Sequence, residues 1–551
     1  MTRLLDRYRR VLAYLLPRAV VWALALGALA LLGTGWTVAG AAIAGATVLL
    51  LAAWRVARPG ADSHVVARAA LAMGLAASST DPVPALLAGL AVVAGLMAEH
   101  SIGRATRPGL VAVGLPGYKA PVVTRLREPI FLATVAGVAT LALGGMGVPA
   151  AAVAVMVLVE LGVATALACV QLVRARRHTD EREIRSALTA LGPRYGVYYS
   201  GTPAGSYQIE MWLPHLRRTG ETGVLLIRDD QFVQAAARCG LPVVLARSVE
   251  SLEYAVVPSL STLFYVNNDA RNVDGVRQRG VTHVHLGHGD SDKPASYSPT
   301  FAMFDRIFVA GQAAVDRFAQ HGVVVPREKF QLVGRPQVAE IAVAATNIAR
   351  AGAPVVLYAP TWRGGMGDSV FGSLHWGHRI VAELIAAGAV VWFRPHPYSA
   401  RDAESRVQIA RIDELLAADT SRFHQPSSRL AGRSIFECMN ASDALVADIS
   451  SVASDYLYSN KPFALTDAGL VEDLEAAYPL ARAAVTLRRG DELGGPIADL
   501  LTGDPRREQR AEIRRYYLGD WPPEEYAHVF VTAAQAVIRA PAPGTRTPGS
   551  D

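Results

Sequence analysis

Six long apolar runs fill most of the first 178 residues of this chain. The first two, Val11–Leu32 and Thr37–Trp54, have about the length needed to cross a bilayer. The other four runs are Val65–Ala77, Val83–Ala98, Ile130–Leu143 and Val148–Val173. We predict a transmembrane domain of about six helices, with four helices and one interfacial hairpin as the alternative. Glu160 lies within the last run and is either a functional intramembrane carboxylate or a side chain that lines the bundle.

Basic residues lie between these runs. Residues 1–178 hold 16 Lys and Arg against 6 Asp and Glu, although the whole chain has a formal charge of only +6. A cytoplasmic N-terminus followed by three hairpins places every basic cluster on one side, as the positive-inside rule requires. These clusters are Arg7/Arg9/Arg10, Arg55/Arg58/Arg68, Arg104/Arg107/Lys119/Arg125/Arg127 and Arg174/Arg176/Arg177. The pattern predicts a multi-pass protein of the cell membrane with a cytoplasmic remainder, and it argues against nucleic-acid binding.

From about His178 the sequence changes to short strand candidates that alternate with helical segments. The first series of strands runs from Gly196–Ser200 to Arg306–Ala310, and the second from Val355–Tyr358 to Phe463–Leu465. This predicts a pair of Rossmann-type α/β halves that face a cleft, with ligand loops at the carboxyl ends of the strands. The predicted domains are 1–178 (transmembrane), 179–345 (first α/β half), 346–539 (second α/β half) and 540–551 (disordered tail).

The first candidate site is the segment HVHLGHGDSDK, residues 283–293, at the end of a predicted strand. Gly289 lets the backbone approach a ligand. His288 can act as a base near neutral pH, and Lys293 supplies a fixed positive charge. The segment therefore combines a close backbone approach, a base and a fixed positive charge at one strand end.

A metal site through His283, His285 and His288 is the alternative interpretation of the same segment. His288 lies beyond the strand that carries the other two, for which packing in the core is the simpler interpretation. The chain has no CxxC pair, so neither a disulfide framework nor a zinc ribbon is expected, which suits a reducing cytoplasm. Its three cysteines are Cys169, Cys239 and Cys438. We expect no metal and no cofactor.

Two further strand ends carry side chains suited to a phosphate. The segment YAPTWRGG contributes Thr361, Arg363 and two glycines, and WFRPHP holds Arg394 and His396 between prolines. Either segment alone could be a loop with a surface arginine. The segment GRP around Arg335 is a weaker signal of the same kind, for which a tight turn is favoured.

The stretch Ser442–Phe463 reads as a buried strand, a serine turn and a helix. Ser450 or Ser451 can accept a hydrogen bond from the first free backbone N–H groups of that helix. Such a turn binds anions because unpaired N–H groups and the helix dipole converge there. The alternative is an ordinary βα turn.

Taken together, HGxxxK, GRP, YAPTWR, RPHP and DxSSxxxDYLxxxKPF have the order and spacing of the CDP-glycerol glycerophosphotransferases, the teichoic-acid primases and polymerases of bacterial envelopes. The chain resembles this family from roughly Tyr195 to Tyr526. The resemblance implies a GT-B-like fold, with 179–345 on the acceptor side and 346–539 on the CDP-donor side. It implies transfer of an alditol phosphate, with glycerol phosphate first among the candidates, from a CDP-alditol to a hydroxyl of a lipid-linked or polymer acceptor. CMP is released, and the product is a teichoic-acid-like polymer.

The resemblance also implies roles for individual residues. His288 corresponds to the base that deprotonates the acceptor hydroxyl, and His396 to the histidine at the donor pyrophosphate. The donor phosphate contacts are Lys293, Thr361, Arg363, Arg394, Ser450 and Ser451, with Asp448 orienting their turn. Supporting residues are Gly289, Asp290, Arg335 and Asp455. In such phosphoryl transfer, positioning and cationic stabilisation carry most of the rate.

Two motifs depart from the family pattern. Where the family commonly has HGTPLK this chain has HGDSDK, which puts Asp290 beside the proposed base and Asp292 next to Lys293. Where the family commonly has TDYSS this chain has Ala447 and Ile449 around the aspartate. The aspartate and the serines remain, and the identity of the donor is left open.

Two other functions are compatible with the sequence. One is a GT-B glycosyltransferase that uses a nucleotide sugar, which would release a nucleoside diphosphate where the favoured reaction releases CMP. The other is a membrane transporter or lipid-handling protein whose α/β part is a nucleotide-binding regulatory module. The favoured prediction is a membrane-bound transferase whose partners are a CDP-alditol, its acceptor and membrane lipid.

Overall fold

The computed structural model describes residues 19–57, 64–105, 109–119, 128–178, 181–344, 352–362, 371–469, 471–522 and 524–541. Of the predicted site residues, Arg363 lies outside these ranges, as does most of the predicted tail. The chain forms two compact units, Met1–Val111 with Lys119–Glu183, and Ala112–Tyr118 with Ile184–Asp551. The division after Glu183 lies close to the boundary that the change in composition predicts. The second unit contains both α/β halves.

The first unit is built of apolar helices, one on each of the six predicted runs. They span Ala19–Gly33, Thr37–Ala57, Val65–Ala77, Pro82–Ala105, Glu128–Gly145 and Ala150–His178. Two contain a stretch of 18 residues apolar enough to cross a membrane, Thr37–Trp54 and Ala150–Leu167. The apolar parts of the other four described helices are shorter. The positions of the helices are as predicted, and their passage through a membrane stays a prediction.

Small residues let these helices pack closely. A Cβ atom added at Gly145 would lie 2.7 Å from the Cβ of Ala41, and one at Gly137 would lie 2.8 Å from Val92 Cγ2. Large apolar side chains point outward instead: of the 28 exposed ones among the described residues of the whole chain, 23 lie between Val20 and Val170. An apolar exterior around a small-residue interior is typical of helix bundles in lipid.

Arg68 does not belong to a basic loop cluster, and that part of the topology prediction is wrong. Its side chain is fully buried in the third helix, where Nη2 lies 2.7 Å from Glu99 Oε2 and Nη1 donates to Thr134 Oγ1 at 2.6 Å. A buried guanidinium requires such partners because desolvation of an unpaired charge is costly. Glu160 also lies inside the bundle, and its Oε1 accepts a hydrogen bond of 2.9 Å from Thr140.

The first α/β half contains an eight-stranded sheet in the order β1-β4-β3-β2-β5-β6-β7-β8. Its strands are β1 Leu110–Val113, β2 Tyr195–Tyr199, β3 Gly223–Ile227, β4 Val243–Ala246, β5 Thr262–Tyr265, β6 Thr282–His285, β7 Arg306–Val309 and β8 Phe330–Leu332. The pairs from β4 to β8 are parallel. Strands β2 and β7 coincide with the predicted strands Gly196–Ser200 and Arg306–Ala310 to within one residue, and β3 to β6 lie in the predicted series between them. Strands β8 and β1 were not predicted; β1 comes from the segment after the fourth apolar helix.

The second half contains a five-stranded parallel sheet in the order β10-β9-β11-β12-β13. Its strands are β9 Val355–Ala359, β10 Val390–Phe393, β11 Ala444–Ala447, β12 Phe463–Asp467 and β13 Val485–Arg488. All four residues of β11 are fully buried, as expected of a short apolar strand at the centre of a parallel sheet. Strand β13 was not predicted.

Helices join and cover both sheets, and the last one returns to the first half. They span Glu181–Leu191, Tyr207–Glu210, Leu213–Arg217, Val233–Ala236, Val249–Ala255, Asn272–Val276, Gln312–Gln320, Gly377–Ala386, Ala403–Ala418, Ser427–Leu430, Ile435–Ala441, Ser451–Tyr456, Leu474–Ala477, Gly494–Ala498, Arg507–Leu518 and Tyr526–Arg539. The carbonyl of Ile538 accepts hydrogen bonds from Arg194 Nη2 at 3.0 Å and from Ser261 Oγ. The predicted pair of Rossmann-type halves is confirmed.

Each sheet has one point at which the chain reverses the direction in which strands are added. In the first sheet this switch point lies between β2 and β5, and in the second it lies between β9 and β11. Ligands of open α/β sheets bind outside the carboxyl ends of strands at such points. Ser200 and Asn267 follow the first pair of strands, and Thr361 and Asp448 follow the second. The topology therefore predicts two positions for a functional site, one at the switch point of each sheet.

Candidate active site

Trp212 holds the loop that carries His288. Its Nε1 donates a hydrogen bond to the Gly287 carbonyl at 2.7 Å. The imidazole Nδ1 of His288 is buried and has no hydrogen-bond partner among the described residues. Burial lowers the pKa of His288 to about 4; a hydrogen bond with the Val266 backbone opposes this shift, and the charge of Arg335 adds to it. The ring is therefore neutral at pH 7 and can accept a proton.

Asp290 and Asp292, the acids that depart from the family pattern, bind a guanidinium that sequence reasoning missed. Arg317 Nη1 donates to Asp290 Oδ1 at 2.6 Å, and its Nε donates to Asp292 Oδ1 at 2.9 Å. Tyr517 donates to Asp292 Oδ2 at 2.6 Å. Burial opposes the charge of Arg317, but the two carboxylates hold its pKa above the ordinary value. Two acidic residues in one buried loop require a cation. The sequence DSD therefore contained a signal that a basic residue lies nearby.

His283 and His285 have protein partners, as the packing interpretation predicts. Nδ1 of His283 lies 2.9 Å from the hydroxyl of Tyr265, and Nε2 lies 2.9 Å from the Gln278 carbonyl. Nε2 of His285 lies 2.8 Å from Asn268 Oδ1. Both nitrogens of His283 and one nitrogen of His285 are thus engaged within the protein.

Asp448 orients the strand end that carries Thr361. Its carboxylate accepts the backbone N–H of Thr361 at 2.6 Å, that of Ser373 at 3.0 Å, and the hydroxyl of Thr466. Burial raises the pKa of Asp448, and these three hydrogen bonds oppose the shift. Its side chain is fully buried, and both carboxylate oxygens accept these hydrogen bonds. Asp448 thus holds the backbone of Thr361, one of the predicted phosphate contacts, and its predicted role in the turn of the serines stays a prediction.

The serine turn lies against the histidine loop. A Cβ atom at Gly289 would lie 2.8 Å from both the Cβ and the Oγ of Ser451, so only glycine fits at this contact. Ser450 precedes the helix Ser451–Tyr456, but its side chain makes no capping hydrogen bond, so the first of the two predicted capping residues does not cap the helix. The buried Oγ of Ser450 has no partner among the described residues. This hydroxyl is therefore available to a ligand.

His396 is held in one tautomer by its own turn. Its Nδ1 accepts the backbone N–H of Tyr398 at 3.1 Å, so the proton of the neutral ring lies on Nε2. Burial lowers the pKa of His396 to about 3, and the charges of Lys293 and His288 contribute in the same direction. The ring stacks on Trp362 with centroids 6.0 Å apart. His396 can thus donate a hydrogen bond from Nε2.

Tyr207 brings the two histidines into one site, and sequence reasoning missed it. Its ring centroid lies 6.2 Å from that of His288 and 6.5 Å from that of His396, edge to face in both cases. Tyr398 lies at 6.2 Å. Tyr207 begins the first helix after β2, which places it at the carboxyl edge of the first sheet. Its position after a strand was the signal that could have identified it.

One hydrogen bond from a lysine and one ion pair hold the surrounding segments. Lys293 Nζ donates to Thr361 Oγ1 at 2.8 Å, which joins the two halves. Arg335 forms a buried pair with Asp455, with Nε to Oδ1 at 2.8 Å and Nη2 to Oδ2 at 3.1 Å. This ion pair ties the segment after β8 to the helix of the serine turn.

Several polar atoms of this site are buried without a partner among the described residues. They are His288 Nδ1, Asp290 Oδ2, Arg394 Nε and Ser450 Oγ. Leaving such an atom unsatisfied costs about 1–3 kcal/mol. Their concentration at the contact of the two halves indicates a site that a polar ligand completes.

Residues 316–475 match the family described as CDP-Glycerol:Poly(glycerophosphate) glycerophosphotransferase. The match covers less than a third of the chain and includes Thr361, Arg394, His396 and the serine turn. The loop of His288 lies before it. No curated protein sequence matches the chain significantly.

Solved structures with distant similarity include the wall teichoic acid polymerase TagF, at 13% sequence identity and a TM-score of 0.40, covering 67% of this chain and 96% of the polymerase. A glycosyltransferase from Rickettsia africae has 10% identity and a TM-score of 0.40, with 63% and 98% covered. The MnaA protein of S. aureus, in complex with UDP, has 10% identity and a TM-score of 0.40, with 61% and 93% covered.

Proposed function

From the premise that this chain is a CDP-glycerol glycerophosphotransferase-like enzyme, we propose that it transfers an alditol phosphate from a CDP-alditol to a hydroxyl of a lipid-linked or polymer acceptor. Glycerol phosphate is the first candidate for the transferred group. CMP leaves, and the product belongs to a teichoic-acid-like polymer of the cell envelope. The observation that carries this proposal is the convergence of His288 and His396, from different sheets, on the ring of Tyr207.

His288 is the base of the proposed reaction. Its neutral ring and unpartnered Nδ1 suit it to take the proton of the acceptor hydroxyl. The hydroxyl oxygen then forms a bond to the phosphorus that carries the alditol, and the bond from that phosphorus to the bridging oxygen of the pyrophosphate breaks. The electron pair of the broken bond leaves with CMP.

In this proposal the CDP-alditol is bound by residues of the second half and by Lys293. His396 donates from Nε2 to a phosphate oxygen, because Nδ1 is engaged by Tyr398. Lys293, Arg394, Thr361 and the hydroxyl of Ser450 surround the pyrophosphate, while Asp448 positions Thr361 from behind. We assign Arg363 and Ser451 to the same group of phosphate contacts. Fixed cations and hydroxyls stabilise the charge that develops on the phosphate oxygens and on CMP.

The helical unit anchors the enzyme in the membrane in this proposal. Support comes from two helices that are long and apolar enough to span a bilayer and from the concentration of exposed large apolar side chains between Val20 and Val170. With the α/β halves on the cytoplasmic side, the enzyme meets its cytoplasmic donor and an acceptor at the inner leaflet. Extraction of membranes with alkaline carbonate should leave the protein in the pellet, and protease added to inverted vesicles should remove the α/β halves.

Release of CMP tests the chemistry. Membranes that contain the protein are incubated with CDP-glycerol, CDP-ribitol or a UDP-sugar, and nucleotide products are separated by chromatography. We expect CMP from a CDP-alditol, and its loss by at least about 100-fold in His288→Ala and His396→Ala. The matched control is His528→Ala, since His528 lies on the last helix outside the site.

Three results would contradict the proposal. Release of a nucleoside diphosphate from a UDP-sugar would indicate a glycosyltransferase. Binding of a CDP-alditol without turnover, with lipid or substrate movement unchanged in both variants, would indicate a regulatory module. Undiminished CMP release in both variants would exclude the assigned roles of the two histidines.

A further inference from the structure

We propose that Asn267, Asn272 and Arg228 form a hydroxyl-binding subsite for the end of the acceptor, at the switch point of the first sheet. This proposal rests on the proposed function for the identity of the ligand as acceptor. The three side chains are 8%, 1% and 8% exposed. Each nevertheless has a buried polar atom without a partner among the described residues: Oδ1 of both asparagines and Nε of the arginine.

A continuous chain of hydrogen bonds joins the asparagines at the ends of β2 and β5. Asn267 Nδ2 donates to the carbonyl of Ser200 at 2.8 Å, and Asn272 Nδ2 donates to the carbonyl of Asn267 at 2.6 Å. Arg228 Nη1 lies 3.1 Å from Asp274 Oδ2, two residues beyond Asn272 on the same helix. The two asparagines are thus joined directly, and Arg228 is joined to the helix that begins at Asn272.

The orientation of both amides follows from their partners. Each Nδ2 faces a backbone carbonyl, which can only accept a hydrogen bond, so a flipped amide would place two oxygens against each other. The free atom of each asparagine is consequently an oxygen that requires a donor. The free atom of Arg228 is an N–H that requires an acceptor. A hydroxyl is both donor and acceptor.

Charge balance excludes a phosphate at this position. Arg228 is paired with Asp274, and Arg271 Nη2 donates to both oxygens of Asp229 at 2.8 and 2.7 Å. The network thus offers an anion no excess positive charge, unlike the neighbourhood of Lys293. The ligand class that fits two free carbonyl oxygens and one N–H is a pair of neighbouring hydroxyls on a polyol or a sugar.

The subsite adjoins the proposed base. Asn267 directly follows Val266, whose backbone forms a hydrogen bond with the ring of His288. A hydroxyl held at Asn267 therefore lies one residue along the chain from Val266, whose backbone contacts the ring that accepts the proton. This arrangement lets one hydroxyl of the acceptor react at His288 while its neighbour is bound by the asparagines.

A pair of acceptors that differ by one hydroxyl tests this inference on the full-length protein in detergent, with CDP-glycerol as donor. Glycerol 3-phosphate has neighbouring hydroxyls at its free end, and 3-hydroxypropyl phosphate keeps the terminal hydroxyl but lacks its neighbour. We expect the wild type to prefer glycerol 3-phosphate by about 10- to 100-fold in kcat/KM, since one or two hydrogen bonds are lost with the analogue. Methyl glucoside and its 2-deoxy analogue form the sugar arm, and a contrast confined to that arm identifies a sugar end.

Asn267→Ala and, independently, Asn272→Ala should reduce the preference to within about 3-fold by lowering the rate with the intact acceptor only. The KM for CDP-glycerol and the release of CMP into water should stay unchanged, which also shows that each variant folds. Gln234→Ala is the control, because Gln234 is exposed on the helix Val233–Ala236 of the same half.

Two outcomes overturn the subsite. One is equal use of both members of each acceptor pair by the wild type. The other is a preference that persists in both asparagine variants. Failure of the wild type to release CMP from any CDP-alditol, with or without acceptor, would instead refute the proposed function.

Discussion

Lys293 and Thr361 join the two α/β halves at the proposed donor site, with Nζ donating to Oγ1 at 2.8 Å. Lys293 follows the histidine loop of the first half, and Thr361 follows β9 of the second. Asp448 in turn fixes the backbone of Thr361. The position of the Lys293 ammonium group thus depends on both sheets. A substitution of Lys293 therefore tests whether activity requires this contact between the two halves.

Lys293→Ala should lower kcat by about 10²–10³-fold, because it removes a fixed donor aimed at the developing charge. Lys293→Arg should recover only part of the rate, since a planar guanidinium does not replace a point charge. CMP release under saturating donor is the measurement. Lys329→Ala is the control, because Lys329 is half-buried outside the site and its ammonium group donates to the carbonyls of Ala302 and Phe304. Equal loss of activity in both alanine variants would contradict the role of Lys293.

Gly289→Ala should abolish most activity, because the new methyl group would lie 2.8 Å from Ser451 and push the histidine loop away from the serine turn. The thermal midpoint should also fall, by a few degrees, as strain from overpacking costs about 1–3 kcal/mol. Gly432→Ala is the control, as nothing lies within 4 Å of its added Cβ. In the double variant with Ser451→Gly the thermal midpoint should recover. A double variant as unstable as Gly289→Ala would show that the contact is not the cause.

The acid limb of kcat/KM should lie well below the ordinary histidine pKa of 6.5. His288 must be unprotonated to act as a base, and burial lowers its pKa to about 4, so activity should persist at pH 5.5 and fall as the pH approaches 4. Stability changes in the same direction. The unfolded chain binds a proton at His288 near pH 6.5, whereas the folded chain binds it only near pH 4. The free energy of unfolding therefore decreases as the pH falls from 6.5 towards 4. Circular dichroism at each pH separates the two effects, and an acid limb at pH 6.5 in folded protein would refute the assignment.

The sequence predicted the strands of both halves well because their apolar runs are short, continuous and followed by glycine or polar residues. It also predicted that His288, Thr361, His396 and the serine turn lie at strand ends, and in the structure each begins within three residues after a strand. Tyr207 and Arg317 were missed because their roles depend on which elements meet in space. Arg68 was misplaced for the same reason, as its partner Glu99 lies 31 residues away. Local pattern thus determines strands and strand ends, whereas partners of buried charges require the tertiary structure.

Substitution of Arg317 tests whether the buried charges of its loop depend on a partner that is distant in sequence. Arg317→Met should destabilise the α/β unit by about 3–5 kcal/mol, because Asp290 and Asp292 would remain buried without a cation. Replacement of all three charges, by adding Asp290→Asn and Asp292→Asn, should restore part of the stability, since no uncompensated charge is left. Urea unfolding followed by tryptophan fluorescence gives both values. Arg327→Met, on an exposed turn of the same half, should change stability by less than about 0.5 kcal/mol. If the triple variant were less stable than Arg317→Met, the cost would come from lost hydrogen bonds to Tyr517 and the loop, and not from unpaired charge.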